Sequence, residues 1–304
     1  MNRAGIVIVT YNSEREIGPC LDALPAEMET VVVDNASSDA TLAEVRKRPS
    51  ARLVANPWNR GFAAAVNQGI GALDCELALL LNPDVEVVTS LEPMAAQFEL
   101  QGVAAATGKL VGRTGRPQAG FMVRRLPTAL TLVFENLGIN RLWPGNPVNR
   151  SYRCFDLDPE AEAFVEQPAG AFLMVRRDVW RELGGFDESF FPVWFEDVDF
   201  AKRVATAGYK MRYTPLSVAK HSGGHSVGRL PRSTKDTHWY GNLLRYTAKH
   251  LAGKRAMAVL ASVMLGSVLR ALLALLLERR LDAVVGCVSI IRLAGAGVFS
   301  GRRD

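Results

Sequence analysis

The first hundred residues constrain the fold of this chain more tightly than any other stretch. Four short runs of β-branched and leucine side chains alternate there with segments of helical pattern. Gly5-Ile-Val-Ile-Val-Thr10 reads as a buried strand and residues 13–24 as a helix. Thr30-Val-Val-Val-Asp34 is a second strand, with a helix over 39–47. Arg52-Leu-Val-Ala55 is a third, with a helix over 61–73 introduced by Asn59, and residues 77–81 are a fourth. Strands alternating with helices in this way build a parallel sheet joined by crossover helices.

Each strand hands over to polar residues: Thr10, Tyr11 and Asn12 after the first, Asp34 and Asn35 after the second, Asn56 and Asn59 after the third, Asn82 and Asp84 after the fourth. In an open parallel sheet the carboxyl ends of the strands share one edge, and ligands bind there where the strand order switches. Any one of these clusters is equally what a turn requires, since Asn, Asp and Pro are turn formers. Four in succession point to a crevice for a polar ligand.

Composition narrows the partners. A chain of 304 residues suffices for one large α/β domain with an appendage, and 48% hydrophobic with 22% charged residues argues against disorder. Cys20, Cys75, Cys154 and Cys287 are scattered without metal-binding spacing and fit a reducing compartment. The apolar run from Ile6 to Val9 is too short for an export signal. A net charge of +5 hides an asymmetry: residues 1–200 carry 18 Lys and Arg against 27 Asp and Glu, and residues 201–304 carry 18 against 4. The basic third also holds the longest apolar runs, so an anionic membrane surface accounts for it better than nucleic acid, for which the sequence carries no motif.

Beyond residue 102 the pattern loosens. Residues 112–120, GRTGRPQAG, read as a turn or mobile loop, Trp143 to Pro147 as another break, and residues 126–137 as a helix with an exposed apolar face. Order returns with a glycine-opened strand over 168–175, a helix over 177–183 and a tight turn at Gly184-Gly185-Phe186-Asp187-Glu188. That turn delivers the chain into Trp194-Phe195-Glu196-Asp197-Val198-Asp199-Phe200, three carboxylates among large apolar side chains. Acids followed by Lys202 and Arg203 are also an ordinary helix start, with carboxylates at the positive end of the helix dipole. Near-interior charge otherwise calls for a partner or a function. Residues 208–213 then resemble an edge strand, and residues 218–221 lead into Ser222-Gly-Gly-His225. His221 and His225 have the spacing of a helical zinc pair, but the two glycines between them argue for a loop.

The runs IVIVTYNSEREI, VVVDNASSDAT, NRGFAAAVNQGI and LLLNPDVEV, followed by GAFLMVRRDVWRELGGFDESFFPVWFEDVDFAKR, resemble glycosyltransferase family 2 in the family's own order, over about residues 4–228. Within it they are most similar to bacterial rhamnosyltransferases. The resemblance implies an α/β fold of the GT-A type, Rossmann-like, with a mostly parallel mixed sheet flanked by helices. It implies that Thr10, Tyr11 and Asn12 line the nucleoside pocket of a nucleoside-diphosphate sugar, that Asp34 hydrogen-bonds the base, and that Asn35 and Asp39 sit beside it. It brings Asn59, Arg60, Gly61 and Asn67 to the ribose and diphosphate. Asn82-Pro83-Asp84 stands where the family more often has Asp-x-Asp. Asn82 is then a neutral member of the donor-nucleotide set, one metal contact is weakened, and Asp84 holds the Mg²⁺ or Mn²⁺. By the same match Asp197 is the catalytic base, Gly170 and Ala171 border the donor sugar, and His221 is the second metal ligand. Trp194 either stacks on a donor-sugar or acceptor face or packs in the core, and Glu196 is a neighbour that orients the loop or contacts the acceptor. His225 has no assigned role.

Elementary chemistry is compatible with these roles. A carboxylate accepts from the imide N–H that uracil and thymine share, so Asp34 does not tell the two bases apart. Gly61 allows close backbone approach, and the helix start after it favours phosphate. A hard cation takes oxygen ligands and completes its shell with phosphates and water.

Residues 234–251 carry a helical pattern with Trp239, Tyr240, Arg245, Tyr246 and Lys249. Residues 256–277 follow with Arg270 as their one charge, long enough to cross a bilayer, and residues 283–299 form a second apolar run broken by Arg292. Ser262, Gly266 and Arg270 recur every four residues as a polar stripe, and basic residues flank both ends of the first run. With the second run short for a span, these features favour a peripheral or monotopic helix on the cytoplasmic face of a bacterial inner membrane. A transmembrane hairpin comes next, and a helical pair forming a homodimer last. The expected division is a catalytic domain over 1–228 and a helical region over 229–304.

The expected activity is inverting, metal-dependent transfer of a sugar, L-rhamnose from dTDP-rhamnose first, to a hydroxyl of a glycan or polyprenyl-linked glycan in cell-envelope polysaccharide synthesis. The alternatives are another donor such as UDP-galactofuranose or UDP-glucose, a sugar nucleotidyltransferase, and a catalytically dead, membrane-attached nucleotide-sugar-binding subunit. The lack of an early Gly-rich phosphate loop with lysine counts against the nucleotidyltransferase.

Overall fold

The apolar runs of the first hundred residues form four strands in the computed structural model, which describes residues 4–223, 231–278 and 286–294. They are β1 (Ala4–Thr10), β2 (Thr30–Asp34), β3 (Ala51–Ala55) and β4 (Leu77–Leu81), joined by α1 (Ile17–Asp22), α2 (Thr41–Arg46) and α3 (Phe62–Ala72). All four run parallel, with β1 between β2 and β4. The side chains of β1, β2 and β4 are buried on both faces, which is why these strands read as unbroken apolar runs rather than alternating ones. The chain steps outward from β1 through β2 to β3, then α3 returns it to the other flank of β1. The strand order therefore switches beside β1, and a crevice opens at the carboxyl ends there.

The middle of the chain completes this sheet. It contributes β5 (Val85–Val87), α4 (Glu92–Ala96), β6 (Val103–Val111), β7 (Val123–Arg124), α5 (Ala129–Asn136), α6 (Ile139–Leu142), α7 (Pro147–Tyr152), β8 (Ala163–Val165), β9 (Gln167–Pro168) and β10 (Phe172–Arg176). Then come α8 (Arg177–Glu182), α9 (Glu196–Thr206) and β11 (Lys210–His221). The order is β3-β2-β1-β4-β10-β6-β11-β5, with β8 also on β11 and a separate β7-β9 pair. β6 and β11 run with the first four strands, while β10 and β5 run against their neighbours, so the sheet is mixed but mostly parallel. It is the GT-A type of arrangement, flanked by helices, that the sequence led us to expect.

Two strands depart from that reading. Central β6 passes unnoticed in the sequence because its core is Val-Ala-Ala-Ala-Thr-Gly, and alanine has low strand propensity. The expected edge strand over 208–213 is the first half of β11, which is interior. β8 pairs with its first half and β5 with its second, across a register break between Tyr213 and Val218 that contains Pro215. Gly108 of β6 faces that break, and a Cβ there would lie 2.2 Å from the Ser217 carbonyl oxygen.

The described residues fall into two compact units. The first, residues 4–126, 153–192 and 196–223, holds the sheet. The second, residues 127–152, 193–195, 231–278 and 286–294, holds α5 to α7, α10 (Arg232–His250), α11 (Gly253–Leu273) and the helical residues 286–294. Within it, the helix over Gly253–Leu276 is long and apolar enough to cross a membrane by length and composition. The stripe of Ser262, Gly266 and Arg270 does not face water. Asn136 Nδ2 donates to Ser262 Oγ at 2.9 Å, Arg270 donates to the Asn136 carbonyl at 2.8 Å and lies over the Tyr240 ring, and Gly266 leaves room for that same carbonyl. The stripe is a packing seam against α5. The opposite face exposes Met257, Met264, Leu265, Val268, Leu269, Leu272 and Leu276. Arg279, Arg280, His225 and residues 283–285 and 295–299 of the second apolar run lie outside the described residues. The four cysteines are free thiols.

Candidate active site

Polar residues at the ends of β1, β2 and β3 tie the loops of this edge to one another. Asp34, with no exposed surface, accepts from Thr10 Oγ1 at 2.9 Å, from the Ser37 backbone N–H at 2.9 Å and from Ser37 Oγ at 2.5 Å. Asn12, at φ +53°, accepts from the Ser38 N–H at 2.8 Å, and its own N–H donates to Ser37 Oγ. Asp39 accepts from the Thr41 N–H and the Glu14 N–H. The expected first helix therefore loses residues 13–16 to a turn. Asn35 donates to the Gly61 carbonyl at 3.0 Å and accepts from Asn56 at 3.1 Å, bracing the β3–α3 loop. Asn59 accepts from the Gly61 N–H at 2.8 Å. Gly61 sits at φ +83° and ψ 161°, a conformation open essentially to glycine alone, and a Cβ on it would lie 2.8 Å from the Phe191 ring.

Tyr11, Arg60 and Trp58 remain exposed on this rim. Asn67 is not at the edge. Its amide accepts from the Phe186 N–H at 2.9 Å and donates to the Phe186 carbonyl at 2.8 Å and to Glu188, clamping α3 to the Gly184-Gly185 turn. The sequence expects Asn67 near ribose and diphosphate; in this structure its side-chain amide makes the clamp.

The other end of the edge is built differently. Because β10 runs against β4, its first residues lie beside the end of β4, and the Asn82 N–H donates to the Ala171 carbonyl at 3.0 Å. Because β11 runs with β4, its last residue arrives at the same edge, His221 pairing with Val85 next to Asp84. His221 Nε2 stands 3.6 Å from Asp84 Oδ2, too far for a direct hydrogen bond, with both side chains almost wholly buried. Its other nitrogen, Nδ1, lies 2.8 Å from Gln118 Oε1, while Gln118 Nε2 donates to the His221 carbonyl at 3.0 Å. The ring is stacked on Phe121, centroids 4.9 Å apart.

Asp197 is the second residue of α9. Its carboxylate accepts from the Gly170 N–H at 3.2 Å, just before β10, and from the Val198 N–H at 2.8 Å. Burial pushes its pKa above the ordinary carboxylate value, against the pull of those two donors and of Arg124. Desolvation thus outweighs the helix start that favours the charged form. The neighbouring acids differ. Asp199, fully buried, pairs with Arg203 at 2.8 Å, and Arg203 also donates to the Leu183 and Gly185 carbonyls, so this pair fastens α9 to the glycine turn. Glu196 is buried. Trp194 and Phe195, immediately upstream, both have positive φ, +81° and +73°, an unfavourable backbone for bulky side chains.

The family model for glycosyl transferase family 2 matches residues 5–155, about half the chain and the stretch that holds β1 to β7. The chain is 29% identical over 272 residues to the N-acetylglucosaminyl-diphospho-decaprenol L-rhamnosyltransferase of Mycobacterium tuberculosis (strain ATCC 25618 / H37Rv), covering 83% of this chain and 86% of that one. It is 25% identical over 264 residues to rhamnosyltransferase WbbL of Escherichia coli (strain K12), covering 83% and 94%. The chain belongs to glycosyl transferase family 2. It is a glycosyltransferase of the rhamnosyltransferase-like kind. Among solved structures its fold is similar to a mannosyltransferase from Pyrobaculum calidifontis in complex with GDP-Man and Mn²⁺, with a TM-score of 0.57 at 18% identity, covering 98% of this chain and 87% of that one.

Within this glycosyltransferase the structure draws Asp84, His221, Asn82, Gly170, Ala171 and Asp197 to one end of the sheet edge. Among the described residues no three His, Cys, Asp or Glu side chains group as a metal cluster. What the chain offers is one carboxylate oxygen and one imidazole nitrogen facing each other, a donor pair suited to a divalent cation that takes its other ligands from phosphate and water. Two residues at this end escaped the sequence reading. Gln118 lies in the GRTGRPQAG segment, which is an ordered turn: the Gly112 N–H bonds the Arg116 carbonyl, and the Gln118 N–H bonds the Leu110 carbonyl. Arg124 reaches the site's electrostatics through the short β7-β9 pair. No local signal marks either residue, because both act through partners about 70 to 100 positions away in the chain.

Proposed function

We propose that this glycosyltransferase transfers L-rhamnose, from dTDP-rhamnose, with inversion, to a hydroxyl of a sugar carried on a polyprenyl diphosphate. The likeness to two rhamnosyltransferases supports the sugar, and the lipid-linked acceptor in the name of the mycobacterial one supports the acceptor class. The observation that carries the chemistry is Asp197: a carboxylate held on the Gly170 N–H beside the end of β4, with its proton affinity raised by burial. A base works best when its pKa approaches the working pH, so burial moves Asp197 in the useful direction. Asp197 takes the proton from the acceptor hydroxyl as that oxygen bonds to the anomeric carbon. The bond from that carbon to the diphosphate breaks on the opposite face, which inverts the centre. Asp84 and His221 would hold a bound Mg²⁺ or Mn²⁺, which supplies positive charge against the departing diphosphate. Thr10, Asn12 and Asp34 shape the nucleoside end, with Tyr11 and Arg60 exposed on its rim.

Calorimetry with dTDP-, UDP- and GDP-sugars, each with and without Mn²⁺, tests the donor reading. The expected result is Mn²⁺-dependent binding led by dTDP-rhamnose; equal, metal-independent binding of all three classes overturns it. Attachment to an anionic membrane is part of the same proposal, supported by the exposed apolar face of α11 beside exposed Lys254 and Arg255. In flotation with phosphatidylglycerol vesicles, Leu265→Asp with Leu272→Asp is expected to abolish co-flotation. Unchanged flotation removes α11 as the attachment.

A further inference from the structure

We propose that Gln118 sets the tautomer of His221 and so makes its Nε2 a metal ligand, a positioning role that rests on the metal reading above. The orientation of the Gln118 amide is fixed from one side: its nitrogen donates to the His221 carbonyl at 3.0 Å, which turns its oxygen toward His221 Nδ1 at 2.8 Å. An amide oxygen only accepts, so Nδ1 carries the proton. In a neutral imidazole the other nitrogen then bears the lone pair, and that nitrogen is the one facing Asp84 Oδ2 at 3.6 Å. With the opposite tautomer, Nε2–H would point toward the Asp84 carboxylate, leaving no lone pair for a cation.

The bracket is well supported. Gln118 is pinned by its N–H on the Leu110 carbonyl, and its own carbonyl accepts from Phe121 and Met122. Phe121, three residues on, stacks on the His221 ring at an interplanar angle of 13° and holds its plane. One short turn thus fixes the rotation, the plane and the protonation of a side chain that arrives 103 residues later. Outer partners of this kind orient metal-ligating histidines, and their loss typically weakens metal affinity about 10–100-fold.

The competing reading makes Gln118 a latch that only ties the turn to the end of β11. Two variants separate the two. Gln118→Leu removes acceptor and donor together; Gln118→Glu keeps an acceptor for Nδ1–H but loses the donor to the His221 carbonyl. The first readout is the ¹⁵N chemical shifts of the His221 ring in the metal-free protein, and the second is Mn²⁺ affinity by electron paramagnetic resonance in the presence of dTDP. The expected result is Nδ1–H in the parent and in Gln118→Glu, with Mn²⁺ affinity within about 3-fold of each other. Gln118→Leu is expected to shift toward Nε2–H and to bind Mn²⁺ about 10–100-fold more weakly. Parent-like tautomer and affinity in Gln118→Leu, or a Gln118→Glu that fails as Gln118→Leu does, overturns the proposal. A parent chain that binds Mn²⁺ no better than His221→Ala overturns the metal reading itself. The tautomer measurement, which needs no metal, tells the two failures apart.

Discussion

The two ends of the sheet edge use polar residues in opposite ways. At the β1–β3 end they answer one another: Asp34 is held by Thr10 and Ser37, Asn35 by Asn56 and Gly61, Asn12 by Ser38. At the β4–β11 end they are brought close without a direct bond, with Asp84 and His221 3.6 Å apart and the pKa of Asp197 raised by burial. Satisfied hydrogen bonds fix shape, and they give the loops at the β1–β3 end one conformation. An imidazole and a carboxylate held near each other, beside a second, buried carboxylate, are the groups that we assign to chemistry. Both ends draw on the same few residue types, so what separates frame from reactive centre is the partnering, not the composition.

The strongest way to break this contrast is the pH dependence of transfer. A base with a raised pKa places the acid limb of kcat/KM above the ordinary carboxylate value of about 3.9. Folding stability shows the same group with a definite sign. The native state keeps the Asp197 proton to higher pH than the unfolded chain does, so this residue's contribution falls as pH rises from the unfolded value through the folded one, and stays reduced above it. The Tm of Asp197→Asn relative to the parent is therefore expected to improve as pH rises across that window. A pH-independent difference between the two contradicts the raised pKa.

A smaller effect sharpens the frame side. Asn67→Ala strands the Phe186 N–H and carbonyl that its amide now serves, and unfolding in urea is expected to show a loss of about 2–3 kcal/mol. Turnover per folded molecule is expected to fall less than for any substitution at Asp84, Asp197 or His221. An Asn67→Ala protein of full stability that has lost donor binding would place Asn67 in the nucleotide set rather than the frame.

The difference between the two ends also governs how much the sequence discloses. Unbroken apolar runs, each closed by a polar cluster, disclose the parallel core of β1 to β4 because local patterning decides those strands. The alanine core of β6 does not read as a strand, since its place is set by neighbours packed on both faces. Pro215 disguises one long strand as two segments. At the site, Asp84, Asp197 and His221 stand out in motifs, and the fold brings their three strand or helix ends to one edge. The contact of Asn67 with the glycine turn is not legible in its motif, because it forms only once α3 packs beside that turn. Gln118 is invisible in the sequence, since its role exists only once β6 and β11 lie side by side. The stripe on α11 shows the same limit: a four-residue repeat reveals a face, and the fold decides that it meets α5 rather than water.

The most direct test of a reactive end distinct from its frame is Asp197→Asn, assayed side by side for transfer and for Mn²⁺-dependent binding of dTDP. Transfer is expected to fall by about 10²- to 10⁴-fold, the usual contribution of a positioned base. Nucleotide affinity is expected to stay within about 2-fold of the parent, because Asp197 binds the Gly170 and Val198 amides and no residue of the β1–β3 loops. Parallel loss of binding and transfer would contradict the account and make Asp197 part of the frame.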